Sequence, residues 1–247
     1  RRNYRDVDEL RAALRAMDRG KTGQTMGLEQ LSELEDHVLR PWLTVTDMFF
    51  AGEAVDELKL GTVAPLPKDL EKFRPIALLE PIYKCCMATM SSRVLKSLHK
   101  HGLLDAAQFG FVVDGSCHDP LNIMARLYER GRGAEGEELH VAFLDATSAF
   151  DSVPHPALDA ALRRLGAPED FVTWLRATLH GHKRKAATAY EVDPDEVAVE
   201  LEGGTPQGCP ASPLIWCIVA DYALAVLRTR EADAATDVAF GGETLRA

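Results

Sequence analysis

Asp145 stands five positions before an aromatic residue and six before a second carboxylate, within Phe143-Leu144-Asp145-Ala146-Thr147-Ser148-Ala149-Phe150-Asp151. A carboxylate is a hard oxygen ligand of the kind that holds a divalent cation. An isolated Asp at the end of a strand is more often a helix N-cap or a turn former, and the N-cap is the expectation for Asp151. Phe150 can be a wall of a ligand pocket or an ordinary core residue. Downstream, Gly203-Gly204-Thr205-Pro206-Gln207-Gly208-Cys209-Pro210-Ala211-Ser212-Pro213 combines glycines, which let the backbone approach a ligand closely, with Gln207, which offers both a donor and an acceptor. A turn opening a buried helix explains the three prolines and does not require Gln207. Upstream, Lys68 gives a compact positive charge and Arg74 a bidentate fork, both suited to phosphate oxygens, although each alone is an ordinary surface charge.

These residues need elements to hold them. Asp6 with Glu9 three residues on marks an N-terminal cap, and Val7, Leu10, Leu14 and Met17 recur at helical spacing, predicting a helix over 7–17. Leu28, Leu31, Leu34 and Val38 predict a second helix ending at Pro41, and a third is expected over 49–58. From Gly61 the pattern changes to a proline-marked hairpin, 62–67 paired with 73–78. Pro81 opens the next helix, with Ile82, Cys86, Met90, Val94 and Leu98 on one buried face. A helix over 120–129 follows, then a surface connection through 131–136. Residues 140–146 read as a strand buried on both faces, with Asp145 at its exit. Helices are expected over 157–165 and 168–179, a hairpin over 184–201 turning at Asp193-Pro194-Asp195, a last helix over 214–227, and a strand at 238–240. The class is α+β, organised as an N-terminal helical region, 1–60, and a second region, 61–247.

The run Leu-Asp-x-x-x-Ala-Phe-Asp ending at Asp151 resembles motif A of reverse transcriptases, above all those of non-LTR retrotransposons and group II introns, and the segment around Gln207 resembles their motif B. Phe73-Arg74-Pro75-Ile76 with Lys68 resembles the family's fingers hairpin, and Lys84, Gln108-Phe109-Gly110-Phe111 and Gly115-Ser116 also match family positions. The resemblance runs from about Gly61 to Ala247. It implies the fingers and palm of a right-hand polymerase, with a ferredoxin-like palm sheet and packed helices, in a chain that ends before the thumb. It implies RNA-templated DNA synthesis, with an RNA template, a DNA primer and deoxynucleoside triphosphates as partners and Mg2+, or Mn2+, as cofactor. By resemblance Asp145 is a catalytic metal ligand. Phe150 excludes the ribose 2'-hydroxyl. Lys68 and Arg74 meet the triphosphate, and Gln207 and Gly208 shape the base pocket.

The pattern departs from the family at motif C, an aromatic, any residue, then two aspartates. The candidate is Phe240-Gly241-Gly242-Glu243, in which Gly242 takes the first aspartate position. Glycine ligates nothing, and Glu243, one methylene too long, is a weak metal ligand. The expected outcome is impaired catalysis. A non-catalytic RNA-binding module derived from a retroelement is the alternative, and a viral-type RNA-dependent RNA polymerase is disfavoured by Phe150.

The whole-chain properties bound these readings. A chain of 247 residues that is 46% hydrophobic can bury a sizeable core. Five cysteines without a Cys-x-x-Cys pair indicate neither a disulfide framework nor a zinc site, and a reducing, intracellular compartment is expected, with no signal that separates nucleus from cytoplasm. No secretory signal precedes the first helix. The longest apolar stretch, 214–227, is interrupted by Asp221 and too short to span a bilayer, so no membrane partner is expected. A net charge of −10 opposes indiscriminate nucleic-acid binding. Basic residues nonetheless gather at Lys68, Lys72, Arg74, Lys84, Arg93, Lys96 and Lys100, and again at Arg163, Arg164, Arg176, Lys183, Arg184 and Lys185. Taken alone, such runs are solvated faces.

Overall fold

The computed structural model describes residues 4, 6–17, 28–53, 56–67, 73–112, 115–133, 141–186, 198–230, 237–240 and 243–246. The cap expected at Asp6 is present: its carboxylate accepts the Glu9 N–H at 2.9 Å and opens α1 (Val7–Ala16). Tyr4, just before it, is buried and shares hydrogen bonds with Cys85 Sγ and Thr89 Oγ1, so the start of the chain is pinned to a helix some eighty residues on. The next two predicted helices are redrawn. A short α2 (Leu28–Ser32) is followed by α3 (Asp36–Ala51), which runs through Pro41 instead of stopping there. Pro41 lies in the second turn, and burial of Leu39, Leu43, Thr46 and Phe49 on one face outweighs the lost hydrogen bond. Gly52, at φ +82°, terminates α3, and a single 3-10 turn (Asp56–Lys59) takes the place of the rest of the predicted third helix.

The predicted proline-marked hairpin is present. Strand β1 (Leu60–Pro67) pairs antiparallel with β2 (Phe73–Leu78), with Pro65 facing Pro75. On its other side β1 pairs in parallel with β3 (His182–Ala186), but only through Leu60 to Val63, so neither Pro65 nor Pro67 owes β3 a hydrogen bond. Strand β4 (Val199–Leu201) pairs antiparallel with β3, giving a mixed four-stranded sheet of order β2-β1-β3-β4. The predicted 184–201 hairpin therefore has its two strands, and its turn lies outside the described residues.

Helix α4 (Pro81–Lys100) begins at Pro81 as predicted and buries Ile82, Cys86, Met90 and Leu98. Its first two turns are buried all round, taking in Tyr83, Lys84, Cys85 and Met87 as well. Helix α5 (His118–Gly133) extends beyond the predicted range at both ends. Helices α6 (His155–Arg164) and α7 (Glu169–Leu179) match the expectation closely. Phe49 of α3 sits at the meeting point of three helices, edge-on to Tyr83 of α4 at 5.6 Å and to Trp174 of α7 at 5.7 Å, while the Trp174 indole N–H donates to the Phe49 carbonyl at 2.9 Å. The helices before residue 60 thus share one hydrophobic core with the rest of the chain.

Helix α8 (Ser212–Arg230) is longer than predicted, and by length and composition alone it could cross a membrane. In this fold it is a core helix at its first half, with Leu214, Ile215, Cys217 and Ile218 buried, and Asp221, fully buried, is ion-paired with Arg164 of α6 at 2.7 Å. Strands β5 (Asp237–Phe240) and β6 (Glu243–Arg246) form a separate antiparallel pair.

One expected strand is missing. Residues 141–146 have no regular structure and are exposed, Phe143 at 85% and Leu144 at 94%. Strand propensity is satisfied only by pairing, and among the described residues this segment is paired with neither the four-stranded sheet nor the β5–β6 pair.

Candidate functional site

Beyond Asp145 the chain tightens into a turn. Ser148 takes a left-handed backbone at φ +51°, the Ser152 N–H donates to the Ser148 carbonyl at 2.9 Å, and the buried Val153 anchors the exit before α6. This turn presents Phe150 half-buried at its side. Asp151 does not cap α6, whose N-cap is Pro154. It instead accepts a hydrogen bond from Arg184 of β3 at 3.3 Å, because the turn ends the segment three residues too early for a capping reach.

The turn packs against the segment 203–208. The Gly204 N–H donates to the Val153 carbonyl at 2.9 Å and the Thr205 N–H to the Phe150 carbonyl at 2.8 Å. His155, buried, holds the Gly204 carbonyl from Nε2 at 2.9 Å, which requires that nitrogen to carry the proton. Gly204 is at φ +78°, and a Cβ there would lie 2.5 Å from the Asp151 carbonyl oxygen. The Ser212 hydroxyl donates to the Pro206 carbonyl at 2.8 Å, so the buried Thr205 hydroxyl must donate to Ser212. Two segments more than fifty residues apart are thereby locked into one backbone unit.

That unit is fastened to the hairpin at its other end. The Ala77 N–H of β2 donates to the Gln207 carbonyl at 2.6 Å, and Gly208, at φ +121°, comes so near that a Cβ would lie 2.5 Å from the Ala77 carbonyl oxygen. Between them lies a cavity of about 580 Å³. Ala64, Leu66 and Ile76 of the hairpin form one side of it, Phe150 another, and Gln207 and Gly208 the turn side. Lys84, 4% exposed, brings a cation to the wall. Cys209 also borders the cavity, but burial pushes its thiol up to about 11, so it packs and does not react. The arrangement is an apolar slot with an aromatic side, an amide and an ammonium, able to take a flat ring carrying polar edges and a charge.

Of the predicted residues, Phe150, Gln207 and Gly208 are brought together. Arg74 is exposed on β2, opposite Leu66 of the cavity wall. Lys68 and Gly242 lie outside the described residues. Asp145 is exposed on the irregular segment, and Glu243 is placed by its backbone alone, opposite Phe240 in the β5–β6 pair. Among the described residues no three His, Cys, Asp or Glu side chains converge. The Arg184–Asp151 pair and the His155 bond were not predicted, and single-residue chemistry offers no signal for either. In the second basic group Arg163, Arg164, Arg176 and Lys183 are exposed, and its arginines are also ion-paired, Arg163 with Glu169, Arg164 with Asp221, Arg176 with Asp159 and Arg184 with Asp151.

The two glycine contacts differ from a merely permissive glycine. Gly166, at φ +79°, has open space where its Cβ would be, whereas Gly208 would meet backbone. Gly166→Ala is expected to cost about 1 kcal/mol for conformation alone, and Gly208→Ala about 2–3 kcal/mol once the clash with Ala77 is added. Urea unfolding of the two variants checks this, and equal losses would show that Gly208 is not in close approach.

The sequence profile of the family described as "Reverse transcriptase (RNA-dependent DNA polymerase)" matches residues 66–240. Among curated proteins, the chain is 27% identical over 187 residues to the "Retrovirus-related Pol polyprotein from type-2 retrotransposable element R2DM" of Drosophila melanogaster, covering 73% of this chain and 17% of that protein. It is 31% identical over 163 residues to the "Retrovirus-related Pol polyprotein from type-1 retrotransposable element R2" of Nasonia vitripennis, covering 62% and 14%. A protein of the same description from Popillia japonica is 26% identical over 206 residues, covering 81% and 26%. The chain therefore spans between 14% and 26% of the length of these relatives.

Proposed function

This chain belongs to the reverse transcriptase family, of the non-LTR retrotransposon type, and from that membership we propose that its cavity is the nucleotide pocket of an RNA-templated DNA synthesis domain. The observation that supports this most is the convergence of Phe150, Gln207 and Gly208 with the β1–β2 hairpin around one cavity of about 580 Å³. In this reading the hairpin and α4 are fingers, and the Asp145 segment with the β5–β6 pair is palm, with the helices before residue 61 as an N-terminal region. RNA template, DNA primer and deoxynucleoside triphosphates are the partners.

Each residue has a task that follows from its setting. Phe150 occupies the side of the slot where a sugar 2'-hydroxyl would need room. Gln207, held by the Ala77 N–H through its carbonyl, keeps its side-chain amide available to a base. Arg74 on the exposed strand offers its fork to phosphate oxygens as the hairpin covers the slot. In the intact family two Mg2+ ions supply charge stabilisation for the transfer; Asp145 would be one of their ligands.

The chain is proposed to bind nucleotide better than it polymerises, because Gly242 takes the place of a carboxylate and Glu243 is longer than aspartate. The expected result is saturable binding of a fluorescent deoxynucleoside triphosphate, weakened by Gln207→Ala, with little primer extension on an RNA template in Mg2+ or Mn2+. Paired Gly242→Asp and Glu243→Asp replacements should raise extension, and Asp145→Ala should remove the gain. Robust extension by the unaltered chain, abolished by Asp145→Ala, would refute the impairment. RNA binding that falls steeply with salt while no nucleotide binds would favour the binding-module reading instead.

Phe150→Ala should let ribonucleoside triphosphates bind nearly as well as deoxynucleoside triphosphates. A one-hydroxyl clash of this kind is worth roughly 1–3 kcal/mol, or about fivefold to a hundredfold in relative affinity. Competition binding reads the ratio directly.

A further inference from the structure

Arg184 is the cation whose setting is least explained by stability. It lies on β3, opposite Gly61 of β1 and Val199 of β4, and shares with His182 the inward face of the strand, while Lys183 between them is exposed. Its side chain is only 12% exposed. It makes one hydrogen bond to the Asp151 carboxylate at the long distance of 3.3 Å, and its buried Nε–H has no partner among the described residues. A guanidinium taken out of water for one long bond and an orphaned donor is a poor stabilising device.

What the bond does fix is position. The Asp151 carbonyl is the atom against which Gly204 closes, at the distance that leaves no room for a Cβ. The carbonyl of Phe150, the residue before it, accepts the Thr205 N–H. The turn carrying Phe150 contains a left-handed Ser148 and is exposed up to residue 148, and the other bonds that hold it run through its backbone, leaving Arg184 as the bond to a side chain beside the ring. The sheet therefore reaches the Phe150 turn by two routes, the backbone of the 203–208 segment held by Ala77 of β2 and the Arg184 side chain of β3, and of these Arg184 grips the side chain of the residue next to Phe150.

We propose that Arg184 is a positioning residue that clamps Asp151 to the sheet, fixes where the Phe150 ring stands in the cavity and thereby sets the discrimination between deoxy- and ribonucleotides. The proposal rests on the nucleotide-pocket reading for its last step. Its first step, the placement of the ring, does not.

The test uses the whole chain labelled with fluorophenylalanine, with the Phe150 resonance assigned by its loss in Phe150→Leu. Arg184→Gln is expected to shift and broaden that resonance while the core Phe49 resonance stays in place, and Arg184→Lys, which keeps a charged donor, is expected to restore it substantially. A Phe150 resonance unmoved in Arg184→Gln would overturn the clamp, whatever nucleotides do. In the second arm, competition between a deoxynucleoside triphosphate and its ribonucleotide partner gives an affinity ratio. Arg184→Gln should reduce it roughly fivefold, the equivalent of about 1 kcal/mol. A ratio that is unchanged although the resonance moves would overturn the specificity step alone. A wild-type chain that binds neither nucleotide would overturn the pocket reading and with it that step, leaving the fluorine spectrum to decide the clamp.

Discussion

Arg164→Met is expected to destabilise the chain by about 3–5 kcal/mol, because it leaves a carboxylate buried without its cation. Asp221 has no exposed surface, lies in the middle of α8, and accepts from Arg164 at 2.7 Å and from the Asp105 N–H at 2.6 Å. The Asp105 carboxylate in turn accepts from Arg228 at 2.9 Å, so α6, the loop after α4 and the last turn of α8 meet in one charge network. Methionine keeps the apolar reach of the arginine stem, so the loss reports the charge and not the packing. Asp221→Asn should cost less, about 1–2 kcal/mol, because Arg164 is 37% exposed and can recover water. Urea unfolding measures both. A loss under about 1 kcal/mol in Arg164→Met would show that the network contributes register and not stability.

The same network bears on how α8 reads as a sequence. Asp221 is visible as a charge within the apolar run of the expected helix 214–227. The residue that cancels its charge is 57 positions away on another helix, and nothing in the local pattern announces it. Paired in this way, Asp221 sits without exposed surface inside a helix that continues to Arg230.

Features that depend on the backbone nearby were legible. The Asp6 cap, the start of α4 at Pro81 and the Pro65–Pro75 hairpin follow from φ preferences and hydrogen-bond donors within a few residues. Features that need a distant partner were not. The segment 141–146 has the alternation of a strand but no strand partner among the described residues, and the continuation of α3 through Pro41 depends on what Leu43 and Phe49 pack against. The candidate site divides along the same line. Phe150, Gln207 and Gly208 converge because two local turns are locked together, whereas Asp145 and Glu243 stand on elements whose pairing would have to bring them to one place.

His182 gives the second large expected effect, and it is a dependence on pH. The imidazole is buried between sheet and helix. Its Nδ1 lies 3.0 Å from the Lys59 carbonyl, which can only accept, so Nδ1 carries the proton and Nε2 accepts from the Tyr83 hydroxyl at 2.9 Å. This chain of bonds joins α4, β3 and the entry to β1 only while the ring is neutral. Burial, reinforced by the positive charges of Lys59 and Arg184, lowers the His182 pKa to about 4 from an ordinary 6.5. Between those values the unfolded chain binds a proton that the folded chain does not. The contribution is therefore complete above pH 6.5, is lost as pH falls toward 4, and amounts to about 3 kcal/mol over that interval. His182→Gln, which cannot titrate and can still offer one donor and one acceptor, should be less stable at neutral pH but flatter across the acid range. Unfolding free energies of the two chains at pH 7 and pH 4 settle the matter, since parallel profiles would mean that His182 titrates alike in the folded and unfolded chains and that the Tyr83–His182–Lys59 chain does not depend on a neutral ring.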